Sequence, residues 1–178
     1  MFEEIINFWF NELTPQQRFQ KDEKFDDLLS KRFGNLLQSA AMCELYEWRD
    51  HPPGRLAEII ILDQFSRNIY RDRAESFAQD ALALALSQQA HKLEDAKHLT
   101  ADQTVFLYMP YMHSESKLIH VQAEKIFQNV GVESVYEYEL KHKAIIDRFG
   151  RYPHRNKILG RSSTDEEIEF LKSPGSSF

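Results

Sequence analysis

Arg55-Leu56-Ala57-Glu58-Ile59-Ile60-Ile61-Leu62-Asp63-Gln64-Phe65-Ser66-Arg67-Asn68-Ile69-Tyr70 is the stretch on which the fold turns. Ile59 to Leu62 alone would suit a buried strand. Their flanks do not, because Leu56, Ala57, Ile59, Ile60, Leu62 and Phe65 keep the three-or-four spacing of a helix. His51-Pro52-Pro53-Gly54 stops the chain before this stretch, and Arg71-Asp72-Arg73 turns it afterwards. The stretch therefore reads as a helix, and the strongest strand candidate in the chain disappears.

Outward from it, the same period recurs. Phe2 to Phe10 reads as a short helix, and Asp22 to Trp48 as a long helix or two short ones with Gly34 as the break. Ser76 to Leu93 is an Ala/Leu-rich helix. Thr14-Pro15-Gln16-Gln17, Thr100-Ala101-Asp102-Gln103 and Thr164-Asp165-Glu166-Glu167 each carry a capping-box start. Pro110 bends or ends the segment after Thr100. Ser114 reads as the cap of the next helix, which Gly131 closes, and Gly150 stops the helix from Glu133. No segment alternates with a period of two. The expectation is an all-α fold of about seven to nine helices in stacked antiparallel pairs, with no fixed-period repeat.

Length and composition bound the function. At 178 residues the chain is most simply one domain, expected over 1–172, with a flexible tail over 173–178. Thirteen Phe, seven Tyr and two Trp can fill a substantial core. Cys43, the one cysteine, excludes an internal disulfide, and among Ala and Leu it reads as a core residue. No stretch approaches the roughly 20 apolar residues of a membrane span. The acidic start Met1-Phe2-Glu3-Glu4 is unlike a signal peptide, so a cytoplasmic protein is the expectation. The formal net charge of −6 weighs against a nucleic-acid partner.

Against that acidic whole, Lys141 to Arg161 is cationic. Lys141, Lys143, Arg148, Arg151, Arg155, Lys157 and Arg161 stand there with Asp147 as the one acid. His154, Arg155 and Asn156 offer a titratable base, a two-pronged donor and an amide in succession. An arginine fork matches two oxygens of a carboxylate or phosphate at once. Two readings stay open: the arginines converge on a bound anion, or they staple the fold by pairing Asp63, Glu115 or helix C-termini. Asp63, flanked by apolar residues, needs a partner if buried, and Arg67 one turn on can supply it. With Asp63 holding that guanidinium, Arg67 and Asn68 would face a cleft. At Tyr111 to Ser116, His113 and Glu115 could form a proton-transfer pair, and the alternative is a capped helix with a partly buried histidine. His113, His142, His154 and Asp63 match no compact metal motif, and no phosphate loop or nucleophile motif occurs.

Several of these motifs occur together in one family. Ile61 to Arg71, then Phe77-Ala78-Gln79-Asp80, His113-Ser114-Glu115, and Arg148 to Arg161 with Ser163 to Glu167 resemble the bacterial domain-of-unknown-function family 924. The resemblance includes the Phe8-Trp9-Phe10 opening and spans nearly the whole chain. Ser66 and Tyr152 stand where the family usually has Pro and Phe, and Asp72-Arg73 where it tends to have Gly-Thr. The resemblance implies a tetratricopeptide-repeat-like stack of helices and no reaction. The expected function is a cationic polar pocket for a small carboxylate or phosphate ligand, as a binding site or an active site. His113, Glu115 and His154 would move protons there. Asp63, Arg67, Asn68, Arg151, Arg155, Asn156 and Arg161 would hold the ligand, with no metal and no cofactor. The alternative is an interaction module for an acidic peptide.

Overall fold

The computed structural model describes residues 1–177, and among them no strand occurs. The chain opens with α1 (Phe2–Asn7), which runs into a π-helical turn (Phe8–Glu12). The three capping boxes form as the sequence demands: the Thr14, Thr100 and Thr164 hydroxyls accept from the backbone N–H of Gln17, Gln103 and Glu167, whose side chains reach back. They start α2 (Pro15–Phe19), α7 (Ala101–Met112) and α10 (Asp165–Phe170). Between them lie α3 (Glu23–Ala41), α4 (Pro52–Ile60), α5 (Ser66–Ile69), α6 (Asp80–Lys92), α8 (Lys117–Val130) and α9 (Glu133–Phe149). A second π turn (Ile61–Phe65) joins α4 to α5 without a break. Counted as one rod, they leave nine α-helices among the described residues, and the fold is all-α.

Consecutive helices α6 to α9 pack on one another in order, and α4 runs through the middle against α1, α6 and α7. The fully buried run Leu56–Leu62 explains why α4 is central: a helix apolar on nearly every side needs cover all round. The two π turns meet in the core, where Phe65 lies 5.6 Å from Trp9 and 5.2 Å from Phe33 between ring centroids. Each such ring buries a large apolar area, which is the dominant favourable term in a core of this kind.

Some local expectations are corrected. α3 runs unbroken through Gly34 and ends at Ala41, because one glycine costs a helix only about 1 kcal/mol. Cys43 is exposed, not buried; the chain turns there through a left-handed conformation (φ 60°) and leaves the helical face. α7 continues through Pro110 to Met112. Ser114 does not cap α8; Ser116 holds that position, and the Ser114 hydroxyl accepts from its N–H at 3.3 Å. Gly131 and Gly150 do end α8 and α9, in the left-handed region (φ 74° and 69°). Of the tail expected over 173–178, Phe178 lies outside the described residues. Ser176 is buried with its hydroxyl on the Leu171 carbonyl at 3.1 Å, and Ser177 reaches the cavity described next.

Candidate functional site

A cavity of about 900 Å³ opens between α2, the α4–α5 rod, α7, the start of α9 and the segment 152–158. One wall is polar, carrying Gln64, Arg67, Asn68 and Arg71 from the rod. Beside it runs the apolar stripe Val105, Met109 and Met112 of α7, which ends at His113, and Gln64 Nε2 donates to the Met109 sulfur at 3.2 Å. The π turn matters here. Inserting one extra residue per turn changes the angular register, and such turns recur at functional sites. Asp63 and Gln64 lie within it, and Arg67 and Asn68 follow on α5.

Asp63 is the buried hub. Its Oδ1 lies 2.7 Å from His113 Nδ1 and 3.1 Å from Arg67, and its Oδ2 accepts from Gln64 at 2.6 Å. Burial alone would raise its pKa. Arg67, then His113 and Gln64, outweigh burial and hold the carboxyl well below the usual range. An ionised Asp63 fixes the hydrogen of neutral His113 on Nδ1, which leaves the Nε2 lone pair free; Nε2 has no hydrogen-bond partner among the described residues. Burial, then the positive charge of Arg67, lowers the His113 pKa more than Asp63 raises it. The imidazole is therefore neutral near pH 7, as a proton acceptor must be.

Arg67 and Arg155 stand beside this pair and share Asp80. Arg67 grips it with both prongs, at 2.9 and 3.1 Å, and Arg155 reaches it at 3.0 Å. The other prong of Arg155 donates to the His113 carbonyl, at the C-terminus of α7, at 3.0 Å. Its guanidinium lies between the Phe77 and Tyr152 rings, 4.5 and 4.7 Å from their centroids. Arg155 Nε is buried with no hydrogen-bond partner among the described residues, a cost that calls for an explanation.

Of the other expected site residues, Asn68 and His154 line the cavity. Asn68 donates to the Gln64 carbonyl at 2.9 Å and accepts from Arg71 at 2.8 Å. Burial, then Arg155, pushes His154 down to about 4. Glu115, Arg151, Asn156 and Arg161 are not among the cavity-lining residues. They form a layer of their own: Arg161 forks onto Glu115 at 2.6 and 2.9 Å, and Arg151 onto Glu167 at 2.6 and 2.7 Å. Asn156 bridges them, accepting from Arg161 at 3.0 Å and donating to Glu167 at 3.3 Å. The structure brings His113 to Asp63, while Glu115 goes to Arg161 and the Tyr152 N–H.

The cationic segment is therefore met chiefly by the chain's own acids: Asp147 within it takes Lys143, and the acids on its arginines come from outside it. Asp80, Glu115, Glu166 and Glu167 take Arg155, Arg161, Arg148 and Arg151. Sequence reasoning missed Asp80 as a member of the site, although it closes the Phe77–Asp80 motif. It also missed the buried pair His120–Glu139 (Nδ1 to Oε1, 2.7 Å), which ties α8 to α9. His120 Nε2 lies 2.8 Å from the Ser114 carbonyl and 3.2 Å from the Tyr152 hydroxyl. A polar residue every turn of an otherwise amphipathic helix gives no sign that it faces inward. Among the described residues no group of three or more His, Cys, Asp or Glu is placed to hold a metal ion, and no helix is long and apolar enough to cross a membrane.

The fold recurs in a solved structure of similar length. A solved structure titled as the protein of unknown function ATU0120 from Agrobacterium tumefaciens superposes with a TM-score of 0.91, is 34% identical in sequence, and matches over 96% of both chains. No curated protein matches this chain. The model of the bacterial proteins of unknown function DUF924 matches residues 5–175, and the chain belongs to that family.

Proposed function

We propose that the cavity binds a small ligand through a carboxylate or another anionic group, held by Arg67 and Arg155, with Asp63–His113 as the proton-accepting pair. One observation carries the reading: a histidine oriented by a buried carboxylate at 2.7 Å lines the same cavity as two guanidinium groups. That arrangement is what proton abstraction from a bound water or substrate requires, with the arginines placed to stabilise the negative charge that develops.

A thermal-shift screen of carboxylated and phosphorylated metabolites tests it. A ligand at about 100 times its Kd raises stability by roughly 2.7 kcal/mol. The hit should vanish in Arg155→Lys, which keeps the charge and loses the planar fork, with the circular-dichroism spectrum unchanged. A hit that survives Arg155→Lys and Arg67→Lys alike would place the ligand elsewhere. If the site is catalytic, His113→Gln retains ligand binding and loses turnover.

A second reading has its own support. Phe19 and Tyr138, at 66% and 53% exposure, both stand on the cavity lining, as aromatic anchors at the mouth of a peptide groove would. An acidic peptide would then bind with loss of affinity in Phe19→Ala and Tyr138→Ala, changes that leave a short anion such as acetate at the inner end untouched.

A further inference from the structure

Three properties of the cavity narrow its ligand: size, polarity and charge balance. The volume of about 900 Å³ lies near the top of the roughly 300–1,000 Å³ range of sites that enclose drug-sized molecules. A single acetate or phosphate would leave most of it unfilled.

The apolar part of the lining is a stripe along α7; Gln64 touches its middle at the Met109 sulfur (3.2 Å), and Arg18, Gln20 and Lys21 line the cavity beside Phe19. Val105, Met109, Met112 and His113 lie on one line along α7 and span about 12 Å, at roughly 1.5 Å per residue. At the inner end of that line stand His113 and the Asp63–Arg67–Asp80–Arg155 cluster. At the outer end the Phe19 ring, itself on the cavity lining, sits 5.9 Å from Phe106, beside Val105. An unbranched thioether side chain fills irregular space and adapts to a flexible apolar partner, and two of them form the middle of the wall.

The charges at the inner end already balance. Asp63 and Asp80 offset Arg67 and Arg155. One added carboxylate leaves a single extra negative charge there. A phosphate monoester near pH 7 would bring close to two, and burying uncompensated charge is costly.

Resting on the pocket reading above, we propose that the ligand is an elongated monocarboxylate. Its carboxylate meets Arg155 and Arg67 beside His113, and its apolar chain runs outward along Val105, Met109 and Met112 toward Phe19. Chain length and a single carboxylate are then what the site selects.

The test is a titration of the wild-type protein with acetate, butanoate, hexanoate, octanoate and decanoate below their micellar concentrations. Octyl phosphate and octanol serve as headgroup controls. Each added methylene should lower Kd about three- to fourfold until the stripe is filled. Octanoate should bind more tightly than either control. Arg155→Lys should weaken every carboxylate while keeping the chain-length slope. Met109→Gln, close in size but polar, should flatten the slope and spare acetate. Equal affinities along the series, lost in Arg155→Lys, would overturn the elongated-chain assignment and leave the anion pocket standing. A slope shared by octanol and untouched by Arg155→Lys would overturn both. Octyl phosphate binding more tightly than octanoate would overturn the headgroup assignment. Absence of binding throughout would overturn both readings.

Discussion

Arg67 and Arg155 hold the same oxygen: Oδ2 of Asp80 lies 3.1 Å from one guanidinium and 3.0 Å from the other. Two like charges meet at one carboxylate, and Asp63 supplies the second negative charge that makes the arrangement tolerable. Asp80→Asn removes half of that compensation. We expect it to destabilise the fold by about 3 kcal/mol, as breaking a buried ion pair from one side does. If the variant folds, it should also bind simple anions more tightly than the wild type. Chemical denaturation and an anion titration check the two effects, and a stability unchanged within experimental error would mean that solvent already compensates the arginines.

The His120–Glu139 pair is buried on both sides, and burial raises the Glu139 pKa despite the histidine. His120→Ala should leave that carboxyl without its partner and cost about 3 kcal/mol or more. The double change His120→Leu, Glu139→Leu should recover much of the loss, since it removes both polar groups together. A double variant no better than the single one would show that packing around α8 and α9, not charge burial, sets the penalty.

Acid should weaken this protein in two stages. Burial holds His142 down at about 3 and His154 at about 4, below the ordinary 6.5. For a depressed pKa the stabilisation is full above the unfolded value and falls as pH drops toward the folded one. Each histidine should therefore remove about 1.4 kcal/mol per pH unit below roughly 6.5, down to its folded pKa. Glu167, held at about 2 by its hydrogen bonds with Arg151, follows the same sign in a lower window, from the ordinary carboxylate range downward. Thermal midpoints measured from pH 8 to 3 should fall from about 6.5, and His154→Gln should flatten the first stage. A profile level to pH 4 would contradict it.

Two glycines should respond oppositely to alanine. A Cβ at Gly54 would collide with the Trp48 carbonyl and its neighbouring backbone, which cannot yield as a flexible side chain does. Gly54→Ala should destabilise by roughly 2–4 kcal/mol. Gly34 lies inside α3 with nothing nearer to that position than Ser30 Oγ at 4.0 Å, so Gly34→Ala should stabilise by about 0.5–1 kcal/mol. Denaturant midpoints of the two variants decide the pair.

The chain's own residues determined the helical class and much of its punctuation. The capping boxes at Thr14, Thr100 and Thr164 and the stops at Gly131 and Gly150 depend on atoms within a few residues of one another, so no tertiary contact can hide them. The Asp63–Arg67 contact was legible for the same reason, one helical turn apart. The partners of the cationic segment were legible only in part: Glu115 and a helix C-terminus stood among the candidates, Asp80, Glu166 and Glu167 did not, and nothing local said which arginine meets which. Arg155 meets Asp80 from 75 residues away, Arg161 meets Glu115 from 46, and His113 meets Asp63 from 50. A segment rich in arginine can be answered by any of the 28 acids in the chain or by a ligand, and local chemistry does not choose among them. Helix packing makes that choice, by bringing α5, α6, α7 and the 152–161 segment to one place. It pairs Arg151 with Glu167 and Arg161 with Glu115, and it leaves Arg67 and Arg155 beside the Asp63–His113 pair at the cavity.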